Sequence, residues 1–265
     1  MSEQIDLDKM AQVALLAAKK AGGLLKEFYR KSYTISTKGW EHNLVTEADL
    51  AAERVIIEAI SNAFENHTIF SEEAGLLSKA TDAPIWLIDP LDGTFNFVHK
   101  LPLFAVSIGA FYKNEAILGV IYAPLLDELF FAKKGHGAYF NDTKIHVSKT
   151  NKIESAVLVT GIPYYDHAEP HRGVKTFAKM MALGCPIRDL GSCAIDLSYV
   201  AAGRFDGYWM PTVQPWDMAA GKCILEEAGG KLTLYDGAPY QKLEISPLVA
   251  SNGLIHRQLI DALHE

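Results

Sequence analysis

Cysteine is scarce in this 265-residue chain: Cys185, Cys193 and Cys223 all stand in the C-terminal half, with no C-x-x-C pair among them. An odd number of unpaired thiols argues against a disulfide framework and for reduced core fillers in a reducing compartment. Long apolar runs are also lacking, since no stretch approaches the roughly 18 residues that a helix needs to cross a bilayer. Met1-Ser2-Glu3-Gln4 has neither the basic start nor the apolar core of a secretory signal, so the expected compartment is the cytoplasm. Positive charge is in deficit: 25 Lys and Arg face 32 Asp and Glu, for a net charge of −7 and a pI near 5.7. That balance excludes a general nucleic-acid or membrane-surface binder, which presents a basic face, and any phosphate must be met by local cations.

Other signatures are missing as well. The histidines show no metal-ligand spacing, and His99 reads as a helix C-terminal residue. Gly135 to Asp142 is glycine-rich, but no G-x-G-x-x-G follows and no helix opens after it, so a hairpin edge is expected. No cysteine precedes the arginine-closed phosphate loop that covalent cysteine chemistry requires. There is no Ser/Gly/Pro-rich linker, tandem repeat or low-complexity tract. Residues 1–265 therefore read as a single compact unit with a soft boundary near residue 150.

What is present is an ordinary globular composition, 49% apolar and 22% charged. Residues 5–31 carry apolar positions at helical spacing, and Leu50 to Phe64 recovers that period behind Thr46 as a cap. The middle changes period. Ile85 to Ile88, Leu103 to Tyr112, Ala116 to Tyr122 and Leu129 to Ala132 are short, β-rich runs that predict an antiparallel meander. From about residue 155 strands and helices alternate. Helices are expected over Arg172–Leu183, Ser192–Ala202 and Trp216–Ala228, and again from Leu254.

The stretch from Trp86 to Phe97, WLIDPLDGTFNF, places Asp89 and Asp92 directly after an apolar strand. Asp-Pro and Asp-Gly could simply start a turn. Gly93, however, lets backbone approach a ligand, and Thr94 opens a helix whose free N–H groups attract an anion. Carboxylates beside an anion site repel it unless a hard cation lies between, so the stretch reads as a metal–phosphate junction. Haloacid-dehalogenase-type phosphatases have one residue between such aspartates, whereas Pro90 and Leu91 make two here, so Asp89 reads as a ligand rather than a phosphorylated nucleophile. Further acids have sufficient structural reasons when taken singly. Glu72 and Glu73 fit a solvated loop, Asp49 fits a capping box with Thr46, and Asp217 fits the first turn of a helix. Those separate reasons do not account for their joint occurrence.

Taken in order, Leu44-Val-Thr-Glu-Ala-Asp49, Ser71-Glu-Glu73, Trp86 to Asn96, Gly191-Ser-Cys-Ala194 and Pro215-Trp-Asp217 resemble the inositol monophosphatase family across most of the chain. The resemblance implies an α+β or α/β protein, a layered αβαβα sandwich of the inositol monophosphatase/fructose-1,6-bisphosphatase type. It implies a first Mg²⁺ on Glu72, Asp89 and the carbonyl of Leu91, a second on Asp89, Asp92 and Asp217, and an optional third near Glu72. The backbone of Gly93 and Thr94 would bind phosphate. A metal-bound water, oriented by Glu72 and by Thr94 backed by Asp49, would attack in line. Gly191, Ser192, Cys193 and Met210, with Asp92 and Asp217, would face the alcohol. Lithium sensitivity and a homodimer, with Arg188 at its interface, are further implications.

The outer wall departs from the family pattern. Met210 stands where inositol-selective members carry a glutamate that bonds a ring hydroxyl, and a thioether cannot usefully accept that bond. Cys193, and Asn43 before Leu44, are milder departures, while Lys38 reads as either a mouth or a solvated loop lysine. Tyr208 and Trp209 read as core or wall. A small phosphomonoester is therefore the expected substrate, with inositol 1-phosphate leading. The 2′-phosphate of NADP, fructose 1,6-bisphosphate, histidinol phosphate and nucleotide 3′-phosphates are alternatives. A non-catalytic regulatory protein is the reading from another class, and the intact acidic set argues against it.

Overall fold

The computed structural model describes residues 5–37, 44–77, 82–161 and 172–264; Lys38 and Asn43 lie outside them. Helix α1 (Leu7–Tyr29) starts where the Asp6 side chain accepts from the Lys9 N–H at 2.9 Å. Its inner stripe is mostly alanine, with Ala14, Ala17, Ala18 and Ala21 buried beside Met10 and Leu25. Such small side chains let α2 (Glu47–Ala63) pack close alongside. The short ribbon β1 (Ile35–Thr37) and β2 (Leu44–Thr46) delivers the chain to α2.

The first large sheet is built from β3 (Thr68–Ser71), β4 (Gly75–Leu76), β5 (Ile85–Asp92), β6 (Ala105–Tyr112), β7 (Glu115–Ala123), β8 (Glu128–Lys133), β9 (Ala138–Phe140) and β10 (Thr143–Ile145). Its order is β10-β9-β8-β7-β6-β5-β3-β4, antiparallel except for the β3–β5 pair. The expected meander is therefore β5 to β10, and Gly135 to Asp142 leads through the β9–β10 hairpin. A five-residue helix, α3 (Thr94–Val98), follows β5 and ends at His99.

A second sheet has the order β12-β11-β13-β15-β14, formed by β11 (Leu158–Thr160), β12 (Ile187–Arg188), β13 (Gly207–Val213), β14 (Lys231–Leu234) and β15 (Ser246–Ser251). Its helices are α4 (Arg172–Ala182), α5 (Cys193–Ala201), α6 (Pro215–Glu227) and α7 (His256–His264). Alternate residues on the strands fill separate cores. Trp86 and Ile88 pack with α1 and α2, while Leu87 packs with α5 and α6. Tyr208 joins that central core, whereas Trp209 joins a third with α4 and α7. The layers are thus helices, sheet, helices, sheet, helices: the αβαβα sandwich. Both sheets are covered on two faces, which explains why β5 to β7 read as continuous apolar runs rather than alternating ones. Among the described residues no helix is long and apolar enough to cross a membrane.

The structure departs from the sequence reading at β15 and at the end of β5, besides the short strands β2 and β4. β15 was not expected, yet it lies between β13 and β14. Pro247 and a polar flank disguise it, and the proline is accommodated where the β13–β15 register shifts between Met210 and Val213. Strand β5 also runs on through Asp92 instead of stopping at Ile88.

Gly109 and Gly119 sit opposite each other on β6 and β7. A Cβ on Gly109 would lie 2.7 Å from the Ala220 nitrogen, and one on Gly119 would run into the Ala220 carbonyl. Helix α6 therefore rests directly on strand backbone, and this contact sets the height of its N-terminus. Gly119→Ala should lower unfolding free energy in urea by about 1–3 kcal/mol. A change below about 0.5 kcal/mol would show that the contact is not close-packed.

Candidate active site

The spacing of the two aspartates has a backbone origin. Asp89 pairs with Ser107 and Asp92 with Ala105, so Pro90 and Leu91 together oppose Val106 alone. The extra residue makes a β-bulge, a device that re-aims side chains and tolerates proline. Asp89 Oδ1 accepts from the Leu91 N–H at 2.9 Å, which fixes the bulge from within. Gly93 then turns at φ 87°, and a Cβ there would stand 2.9 Å from the Leu103 carbonyl oxygen. Only glycine meets both conditions without strain.

Four other elements bring polar groups to this bulge. Thr46 and Asp49 form the expected capping box, the Asp49 Oδ2 accepting from the Thr46 N–H at 2.8 Å and its hydroxyl at 2.6 Å. Asp49 Oδ1 also lies 3.2 Å from the Thr94 hydroxyl, which is 2.9 Å from the Leu91 carbonyl. The cap and the contact with the site therefore use opposite oxygens of one carboxylate. Glu72 follows β3, its N–H donating to the Ile88 carbonyl at 3.0 Å. Asp217 lies in the first turn of α6, where it accepts from the Gln214 N–H at 3.2 Å. Trp216 packs edge-on against Phe70, ring centroids 5.1 Å apart, tying the Asp217 turn to the strand that carries Glu72.

Asp92 meets the N-terminus of α5, whose cap is Ser192. Its carboxylate accepts from the Ser192 hydroxyl and from the Ala194 N–H, the latter at 2.9 Å. Ser192 is thus engaged by Asp92 and by its own helix, and it lines the cleft together with Gly191 and Cys193. Burial nevertheless pushes the Asp92 carboxyl up to about 6, against the pull of those hydrogen bonds. Burial also raises Asp89 well above the ordinary carboxylate range, and the charges of Glu72, Asp92 and Asp217 raise it further. As the side chains stand, no group of three or more His, Cys, Asp or Glu among the described residues is placed to hold a metal ion. The donor chemistry of these acids, oxygen throughout, is that of a hard-cation site.

The outer cleft measures about 170 Å³ and is lined by Gly161, Asp189, Cys193, Asp196, Tyr208 and Met210, among others. That is below the ~300–1,000 Å³ of drug-sized pockets and suits a compact ligand. The Tyr208 hydroxyl donates to Cys193 Sγ at 3.3 Å. Burial, then the charges of Asp217 and Asp92, push the Cys193 thiol up, so it remains protonated. Met210 lies against Gly161, whose Cβ would come within 2.9 Å of its sulfur. A larger depression of about 400 Å³, lined by Lys9, Phe64, His67 and Tyr112, lies away from these acids.

Three residues of this region were not singled out from sequence. Glu53 is buried on α2, and its Oε1 accepts from the Ser71 hydroxyl and from the N–H groups of Glu73 and Ala74 at 3.1 and 3.0 Å. It pins the turn that carries Glu72. The available signal was an acid one position from the Ala48, Ala52 and Ile56 stripe. Asn96 donates to the carbonyls of Leu103 and Leu190, both at 2.7 Å, clamping the helix that follows the Gly93 turn to the loop before α5. Nothing in the sequence indicates so distant a pairing. Asp196 is the third.

The chain matches the sequence profile of the inositol monophosphatase family over residues 6–265. It is 40% identical over 258 residues to a protein named inositol-1-monophosphatase from Synechocystis sp., covering 97% of this chain and 90% of that one. It is also 36% identical over 261 residues to a protein named Nus factor SuhB from Haemophilus influenzae, with 97% and 96% covered. Among solved structures, extragenic suppressor protein suhB from Bartonella henselae superposes with a TM-score of 0.89 at 37% identity, covering 96% of this chain and 98% of that one.

The crowded acids predict a pH-dependent response to cation. Asp89 and Asp92 have folded pKa values raised above the unfolded 3.8, so their stability contribution is intact below that value and is lost as pH rises, for Asp92 through about 6. His256, held between Thr233 and Ser251 and pushed down to about 4 by burial, acts oppositely, with stability gained as pH rises from 4 to 6.5. The informative quantity is therefore the melting temperature in Mg²⁺ minus that in chelator, in which His256 cancels. This difference should grow from pH 5 to pH 7.5 and shrink in Asp92→Asn. A difference independent of pH in the wild type would show that these acids do not bind the cation.

Proposed function

The chain belongs to the inositol monophosphatase family and is a phosphatase of that family; from that premise we propose that it hydrolyses a small phosphomonoester, with inositol 1-phosphate the leading substrate. The observation that carries this reading is the raised Asp89 carboxyl, set by burial and by Glu72, Asp92 and Asp217 together. A buried carboxylate within the field of three other acids calls for a divalent cation. Glu72, Asp89, Asp92, Asp217 and the Leu91 carbonyl are the groups that would hold Mg²⁺. Bound there, Mg²⁺ would polarise the phosphoryl oxygens as a Lewis acid and lower the pKa of water.

The chain's own residues supply the rest. The Thr94 hydroxyl has one proton and two acceptors in reach, the Leu91 carbonyl and Asp49. With the hydroxyl donating to Asp49, the threonine oxygen would accept from an incoming water and orient it toward phosphorus. Asp49 is suited to this because the Thr46 cap holds it rigid. Glu72, on the turn pinned by Glu53, would take the water's other proton. The N–H groups of Gly93 and Thr94 at the αL turn would receive the phosphate. No covalent phosphoenzyme is part of this reading, because the two residues between Asp89 and Asp92 differ from the one-residue spacing of an aspartyl-phosphate-forming site.

The Haemophilus influenzae relative's name, Nus factor, favours a second reading in which the fold serves a regulatory role without turnover. Phosphate release from inositol 1-phosphate in Mg²⁺ decides between them. Wild type should turn over, and Asp92→Asn should lose at least 100-fold in kcat/KM, a loss typical for removing one electrostatic stabiliser. Wild type as inert as Asp92→Asn would leave the regulatory reading. A screen adding NADP, fructose 1,6-bisphosphate, histidinol phosphate and adenosine 3′,5′-bisphosphate ranks the substrates. Met210→Glu should raise kcat/KM for inositol 1-phosphate relative to the other esters by about tenfold or more, from the ~1.5–3 kcal/mol of a charged hydrogen bond. An unchanged ratio would exclude Met210 from the wall that meets the alcohol.

A further inference from the structure

Asp196 lies in the first turn of α5 and lines the same cleft as Cys193, Tyr208 and Met210. It is 1% exposed, and its Oδ1 is buried without any hydrogen-bond partner. Carboxyls buried in native proteins are almost always partnered, and one that is not destabilises the fold unless something else meets it. Neighbouring groups do not serve. The Tyr208 hydroxyl donates to Cys193, and the Ser192 hydroxyl donates to Asp92. Met210 offers only a thioether, and the Cys193 thiol is a weak donor.

We infer that Asp196 is a specificity-determining residue, the carboxyl that hydrogen-bonds a hydroxyl on the alcohol half of the substrate and so selects polyhydroxylated monoesters over aryl or alkyl ones. The inference rests on the phosphatase reading above and adds the class of alcohol. Burial first, then the charges of Asp92 and Asp189, push the Asp196 carboxyl well up, which favours its acid form. As an acid it both donates and accepts, the pairing that a hydroxyl also makes. Its position is one helical turn beyond the Ser192 cap that holds Asp92, in the cleft it shares with Cys193, Tyr208 and Met210.

The test compares inositol 1-phosphate with p-nitrophenyl phosphate in Mg²⁺ for wild type, Asp196→Leu and Asp196→Asn. In Asp196→Leu the ratio of kcat/KM for inositol 1-phosphate to that for the aryl ester should fall about tenfold, the worth of one substrate hydrogen bond. Asn, which keeps a donor and an acceptor, should lower the ratio by no more than about threefold. The substrate-free melting temperature of Asp196→Leu should match or exceed that of wild type, because an unpartnered acid has been replaced by an apolar group of similar shape. A ratio unchanged in both variants, or both activities falling in parallel, overturns the assignment and leaves Asp196 as a structural group satisfied by water. If Asp196→Leu does not fold, Asp196→Ala takes its place: a selective loss on the polyol ester of about tenfold supports the inference, and an unchanged ratio overturns it. Wild type inert on both esters instead overturns the phosphatase reading itself, an outcome separate from any change of ratio.

Discussion

Repulsion among buried carboxylates at the end of β5 is the constraint around which this protein is arranged. Asp89 is hidden from water and feels the charges of Glu72, Asp92 and Asp217, so its ionised form is costly in isolation. Each of those acids comes from a different element: the turn after β3, the bulge of β5 and the first turn of α6. Folding must therefore gather negative charge from distant parts of the chain. What makes that tolerable is a set of local donors, the Leu91 amide for Asp89 and the α5 N-terminus for Asp92. These donors hold the carboxylates in place without neutralising them.

The scaffold is built for close approach. Paired glycines on β6 and β7 let α6 lie on strand backbone, and the bulge in β5 turns two aspartates of one strand toward the same region. Glu53 and Asn96 act at one remove, the first fixing the Glu72 turn and the second joining the Gly93 turn to the Leu190 carbonyl. Neither touches the proposed reacting atoms. Both convert soft loops into parts with a single geometry, the support that a first shell of charged groups needs.

Stability is given up in several places for this arrangement. Raised acids at the bulge and an unpartnered Asp196 each disfavour the folded state, and the well-packed αβαβα layers around them offset that cost. Local rules broken inside an otherwise consistent fold mark where function is concentrated. Here the breaches fall on the bulge and on one wall of the cleft, and the helices that cover the outer faces obey ordinary patterning.

Much of the arrangement was legible before any coordinates. Helical periodicity located α1 and α2 because their buried stripes repeat every three to four residues, and the D-P-L-D-G-T block was recognisable because its chemistry is contiguous. The Thr46–Asp49 cap could be read for the same reason: its partners are three residues apart. Strand β15 escaped because a proline and polar flanks hide a strand whose pairing depends on β13 and β14. That the two residues between Asp89 and Asp92 form a bulge needed the register of β6, which a single strand's sequence does not contain. The contact of Asp49 with Thr94, the Glu53 anchor and the burial of Asp196 join residues that are far apart in the chain or depend on what packs around them. Sequence by itself determined the local periods, the caps and the chemical identity of the acids, since these depend on near neighbours. Tertiary structure alone decided which acids meet, how far burial raises them and which carboxyl is left facing the cleft, because those properties arise only when separate elements exclude water together.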